Sequence, residues 1–245
     1  MASAQRPAGA GPALARLRAG LRARRAALGN QRRSEADARI AALIEVRVRE
    51  WLGRWEAGIE GGRSGEARAA GPAGAANTLK GSAAAGAAGE TDAYPGPRVL
   101  AAFWPIGEEP DLRPLLARLA ADPRLCLALP VIERRAAPLG FRLWTPGAAM
   151  RAGDYGIPEP ADAAPARPDI VLVPTLGFTA QGDRIGYGGG FYDRTLAQLR
   201  RGGAVTAFGV AYACGALGPD EHVPAPHDAR LDAVVTENGW VPAGA

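Results

Sequence analysis

The chain is almost devoid of lysine. Of its 29 basic residues only Lys80 is a lysine, and all the others are arginine. A mechanism built on a catalytic lysine therefore has a single candidate. Lys80 stands in Asn77-Thr78-Leu79-Lys80-Gly81-Ser82, without the upstream glycine spacing of a phosphate-binding P-loop, so that motif is excluded. Cysteine and histidine are equally scarce, with two of each. Cys126 and Cys214 lie far apart and outside any Cys-x-x-Cys, which argues against zinc and for a reduced, cytoplasmic protein. No run of eighteen apolar residues exists, so no membrane-spanning helix is expected. Met1 to Pro12 contains Arg6 but no apolar core, and is expected to be a flexible tail rather than a secretory signal. The net charge of +4 suits an anionic ligand without demanding nucleic acid.

What the chain has in abundance is alanine and glycine, unevenly spread. Leu14, Leu17, Leu21 and Leu28 mark a helix surrounded by Arg16, Arg18, Arg22, Arg24 and Arg25. Gly29-Asn30 reads as its stop. Ser34 is placed to cap a second helix over Glu35 to Trp55, with Ile40, Leu43, Ile44, Val48 and Leu52 on one face. From about 57 to 97 the composition turns to Gly, Ala, Ser and Pro without apolar period, as expected of a disordered insertion. The texture after Arg98 is α/β. Strands are predicted over Val99–Trp104, Leu125–Val131, Phe141–Trp144, Asp169–Pro174, Val205–Tyr212 and Leu231–Thr236, with helices over Leu112–Ala121 and Phe191–Arg201. Continuous apolar strands separated by helices predict one domain over 13–245, a three-layer α/β fold whose mostly parallel open sheet carries helices on both faces. Ligands of such sheets sit beyond the carboxyl ends of the strands.

The segment from Pro174 to Arg194 carries the chemistry. It leaves a buried strand, passes Gly186-Tyr187-Gly188-Gly189-Gly190, and enters a helix at Phe191-Tyr192-Asp193. Glycines there let backbone N–H groups approach an anion at a helix N-terminus. Arg184 and Arg194 add guanidinium forks suited to phosphate. Tyr187, Phe191 and Tyr192 offer flat packing surfaces, and Asp193 one carboxylate for a phosphate-bound Mg²⁺.

These residues resemble the signature of the 5-formyltetrahydrofolate cyclo-ligase family. Further similarity lies in the basic helix Leu17 to Arg25, in Trp104-Pro-Ile-Gly-Glu-Glu-Pro-Asp111, in Trp144-Thr-Pro-Gly, in Tyr155-Gly-Ile-Pro-Glu-Pro160 and in Pro226-His-Asp-Ala-Arg-Leu-Asp232. The resemblance implies a ribose-5-phosphate isomerase-like or Rossmann-like scaffold with N-terminal helices. It also implies the ATP- and Mg²⁺-dependent conversion of 5-formyltetrahydrofolate to 5,10-methenyltetrahydrofolate. It assigns ATP to Arg18 and to Arg184, Gly186, Tyr187, Gly188, Gly189, Gly190, Phe191 and Tyr192. Arg184 and Tyr192 fall in the catalytic role. Folate is assigned to Arg18, Trp104, Glu109 and the loop Tyr187 to Phe191, and Mg²⁺ to Asp193 and Asp228. Relatives commonly carry lysine where this chain has Leu14, and Arg16 is the candidate substitute. Glu108 and Glu109 compete for the pterin carboxylate. The expected partners are ATP and 5-formyltetrahydrofolate, with or without a polyglutamate tail, for a monomer or weak dimer. The competing readings are a non-catalytic RNA binder, suggested by the basic helix, and a sugar-phosphate enzyme on a related scaffold.

Overall fold

A computed structural model describes residues 11–62, 96–218 and 220–244, with side chains of 58–62 left aside. The insertion expected at 57–97 and the tail at 1–12 therefore fall largely outside the described residues. Two long helices come first, α1 (Pro12–Ala26) and α2 (Gly29–Gly62). Ser34 does not cap α2. The chain reverses at Gly29, which takes a left-handed φ of 70°, and α2 starts there, leaving Ser34 inside the second turn. It also continues past Trp55 to Gly62, beyond the predicted end.

The remainder alternates: β1 (Arg98–Ala101), α3 (Arg113–Leu119), β2 (Leu125–Val131), β3 (Gly140–Trp144), β4 (Met150–Ala152), β5 (Pro158–Pro160), β6 (Ile170–Pro174), β7 (Gly177–Phe178), β8 (Arg184–Ile185), α4 (Phe191–Arg201), β9 (Thr206–Val210), β10 (Ala233–Thr236) and β11 (Gly239–Pro242). Seven strands form one sheet in the order β11-β10-β9-β6-β1-β2-β3. The five central strands are parallel, and β3 and β11 pair antiparallel at the edges. The hairpins β4–β5 and β7–β8 stand apart from it.

Alternation along the central strands sorts side chains into two cores. Leu100, Leu127, Leu129, Ile170, Leu172, Phe208, Val210 and Val235 face Ile40, Ile44, Val48 and Leu52 of α2 and Leu115, Leu116 and Leu119 of α3. Their neighbours Val99, Ala101, Ala128, Val171, Val173, Ala207 and Val234 face Leu196 of α4. The period of two is the expected signature of a sheet buried on both faces. Helix α1 belongs to neither core. Leu21 packs on Leu176 and Ile185 beyond the end of β6, with Leu14 and Leu17 beside them. That placement lays α1 across the carboxyl ends of the parallel strands.

Candidate active site

One large cavity, about 1280 Å³, opens at those carboxyl ends. A pocket for one drug-sized ligand runs to about 1,000 Å³, so this one has room for two substrates side by side. Its wall takes Phe103 and Trp104 from the end of β1, Pro130 from β2 and Pro174 from β6. Leu14, Leu17 and Arg18 of α1 form one side, and the glycine loop with the first turn of α4 another.

The loop is shaped by its sequence. Gly188 has φ 97° and Gly190 φ 63°, conformations that L side chains rarely adopt. A Cβ on Gly188 would stand 3.2 Å from Arg18 Nη1, so the bare backbone makes room for that guanidinium. Arg18 Nε donates to the Gly186 carbonyl at 2.9 Å, tying α1 to the loop. Burial and the neighbouring Arg22 lower the Arg18 pKa, the mark of a cation drawn into a partly dry site.

Behind the loop is a charged clamp. Arg184, 8% exposed, donates from Nη2 to Asp193 Oδ1 at 2.7 Å and from Nη1 to the Ala229 carbonyl at 2.5 Å. The Ala229 amide donates back to Asp193 Oδ1 at 3.0 Å. The clamp joins the start of α4 to the 225–229 turn, in which Asp228 Oδ2 accepts from the Ala225 amide. Asp193 and Asp228 thus line one cavity. Among the described residues no group of three or more His, Cys, Asp or Glu could hold a metal by itself. Two carboxylates beside a glycine-rich loop fit Mg²⁺, an ion that proteins hold by one or two carboxylates together with substrate phosphates.

Glu108 and Glu109 face opposite ways. Glu109 is 6% exposed and faces the cavity, while Glu108 turns outward toward Arg33 at 3.8 Å. Glu109 Oε2 accepts from the Ile106 amide at 3.0 Å. Burial raises its pKa, and the Ile106 amide, the nearby Tyr187 phenol and Arg25 oppose the rise. Trp104 lies edge-on to Trp144 at 6.3 Å, with the Arg113 guanidinium 5.8 Å over its ring, and lines the cavity. Tyr192 is half-buried at the start of α4, and desolvation, then Glu109, push its phenol pKa up, so it stays a neutral hydrogen-bond donor.

Arg16 is not brought to this cavity. It is exposed on the outer side of α1, whereas Leu14 turns inward onto the small apolar cluster. Arg25, which the sequence offers only as one of the arginines around α1, is 3% exposed. The signal was its spacing: seven residues after Arg18 is two helical turns, hence the same face. Tyr155 also went without a role. It takes a left-handed φ of 59° and sets its ring 6.3 Å from Phe191 across the cavity mouth.

Comparison with known proteins agrees with this geometry. The model of the 5-formyltetrahydrofolate cyclo-ligase family matches residues 72–237. The chain belongs to that family. A cyclo-ligase of Mycolicibacterium smegmatis is 35% identical over 148 residues, covering 57% of this chain and 73% of the relative. The Haemophilus influenzae cyclo-ligase is 34% identical over 92 residues, covering 36% of this chain and 47% of its own. The solved structure of Aquifex aeolicus 5,10-methenyltetrahydrofolate synthetase superposes with a TM-score of 0.63 at 20% identity, over 95% of this chain and 93% of that one. The Mycoplasma pneumoniae synthetase gives 0.57 at 18% identity, over 91% and 98%. These two show a shared fold. The family match leaves α1 and α2 out, yet α1 supplies one wall of the large cavity.

Proposed function

We propose that the chain converts 5-formyltetrahydrofolate to 5,10-methenyltetrahydrofolate, consuming ATP and releasing ADP and phosphate. The carrying observation is that the glycine loop, the Arg184–Asp193 clamp and the buried Glu109 face one cavity large enough for both substrates. The formyl oxygen is amide-like and leaves poorly. Transfer of the ATP γ-phosphoryl group to it makes a phosphate leaving group; N10 then attacks the formyl carbon and phosphate departs, closing the ring.

The protein's share is positioning and charge neutralisation, as in phosphoryl transfer generally. The amides of Gly186 to Gly190 and the guanidinium of Arg18 hold the phosphates. Arg184 sits where it meets charge developing on the transferred group, and Tyr192 donates as a neutral phenol. Glu109 accepts from pterin N–H groups, with Trp104 against the ring. Asp193 and Asp228 would hold Mg²⁺, which screens phosphate charge when bound. Phe191 and Tyr155 narrow the mouth and limit water.

The test is direct. Purified protein with 5-formyltetrahydrofolate and MgATP should develop the ultraviolet absorbance of the methenyl product, with one ADP formed per turnover. Folded protein at high concentration that shows neither signal rejects the reading.

A further inference from the structure

Arg25 lies off the cavity wall yet bonds Tyr187, which lines it. Its Nη1 donates to the Tyr187 hydroxyl at 2.7 Å, and its Nη2 to the Thr175 carbonyl at 2.8 Å. The guanidinium also sits over the Tyr212 ring at 5.6 Å, and the Tyr212 hydroxyl donates to Asp37 at 2.6 Å. Arg25 is therefore fixed by a backbone carbonyl and an aromatic face, not by a carboxylate. An arginine has no acceptor, so the Tyr187 oxygen must accept from it. The single phenol proton is then free to turn toward Glu109, which lines the same cavity.

We propose that Arg25 is a positioning residue that orients the Tyr187 hydroxyl toward Glu109. It thereby fixes both the tip of the glycine loop and the carboxylate that meets the pterin. The pterin assignment rests on the function proposed above. The logic is one of flexibility. Gly186, Gly188, Gly189 and Gly190 flank a lone side-chain anchor, Tyr187, and 39% of that residue's surface is exposed. Its hydroxyl is the loop's side-chain point of attachment, beside the backbone ties of Arg18 to Gly186 and Arg194 to Gly189. Around Glu109 the facing groups are Tyr187 and Arg25, the Tyr192 phenol and the Ile106 amide; Glu108 turns away. Losing either member of the relay removes support for the ionised carboxylate.

The experiment compares wild type with Arg25→Gln, Tyr187→Phe, their double variant and Arg25→Lys. Each single change should raise KM for 5-formyltetrahydrofolate about tenfold, the value of one buried hydrogen bond. The acid limb of kcat/KM should move to higher pH in both. The double variant should be no worse than about twofold beyond the poorer single, because both cut one relay. Arg25→Lys should recover part of the limb shift. Multiplicative KM effects, or an unmoved acid limb with a merely lowered Tm, would make Arg25 structural only and overturn the proposal. Hydrogen exchange over residues 184–192 reads the same relay without turnover. Both single variants should speed exchange non-additively even if the wild type has no cyclo-ligase activity, and unchanged exchange rejects the relay independently of the function.

Discussion

Asp193→Asn tests whether the clamp behind the glycine loop is held by charge. The Arg184 side chain is 5% exposed and that of Asp193 19%, with 2.7 Å between them. At that distance, with an effective dielectric of about 20, the Coulomb attraction is roughly 6 kcal/mol. Desolvation of both ions offsets much of it. Removing one partner of a buried pair costs about 3–5 kcal/mol, because the other charge is left uncompensated. Asn keeps an acceptor for Arg184 and for the Ala229 amide, and Asp193 is partly wet, so the low end applies, about 3 kcal/mol. For a fold of this size that corresponds to a fall in Tm of roughly 6–12 °C. Scanning calorimetry without Mg²⁺ separates this from any metal effect. Arg184→Gln/Asp193→Asn should lose less than the sum of its singles, since it removes both charges. An Asp193→Asn variant within about 1 kcal/mol of wild type would show that the Arg184 charge is compensated elsewhere, and the clamp argument would fail.

Further outcomes follow from the same geometry. Gly188→Ala places a Cβ at φ 97° and 3.2 Å from Arg18, so KM for ATP should rise at least about tenfold and by more than the folate KM; a larger rise in folate KM than in ATP KM would remove Arg18 from the phosphate role. Arg16→Ala should leave KM for ATP within about twofold, since Arg16 is exposed away from the cavity; a large rise would restore it as the stand-in for lysine. Glu109→Gln should abolish activity while making the fold more stable at neutral pH. The carboxyl pKa is raised by burial, so the anion costs stability above that raised pKa and nothing below the unfolded value. The gain should therefore fade as pH falls through that window, and a variant less stable at pH 8 would contradict it.

Much of this was legible in the sequence because local pattern and tertiary role coincide. Strand β2 and helix α4 fall where the sequence placed them, Leu125–Val131 and Phe191–Arg201, because apolar run and glycine break agree there. The start of α2 was misplaced because Ser34 is a good cap in isolation, while the left-handed turn at Gly29 sets the boundary. The small hairpins escaped because two- and three-residue strands carry no period. Within the site, residues next to glycines or in dense motifs were found. Arg25 was not, because its partners, Thr175 and Tyr187, lie about 150 residues away in sequence and only folding brings them to α1.

The lysine deficit now has a mechanistic consequence. Among the described residues the basic side chains lining the cavity are Arg18, Arg184, Arg194, Arg200, His222 and His227. Arginine does not lose its proton in the working range of an enzyme, and its planar fork binds phosphate in two directions where an ammonium is a point charge. The cationic field over the phosphates should therefore hold constant with rising pH. A lysine-bearing relative can lose affinity for ATP as its ammonium titrates, whereas here KM for ATP should stay flat from pH 7 to pH 10. The pH dependence that Glu109 carries should appear in the folate KM and on the acid side. An alkaline limb in KM for ATP, measured at saturating folate, would show that a group other than these arginines binds the nucleotide.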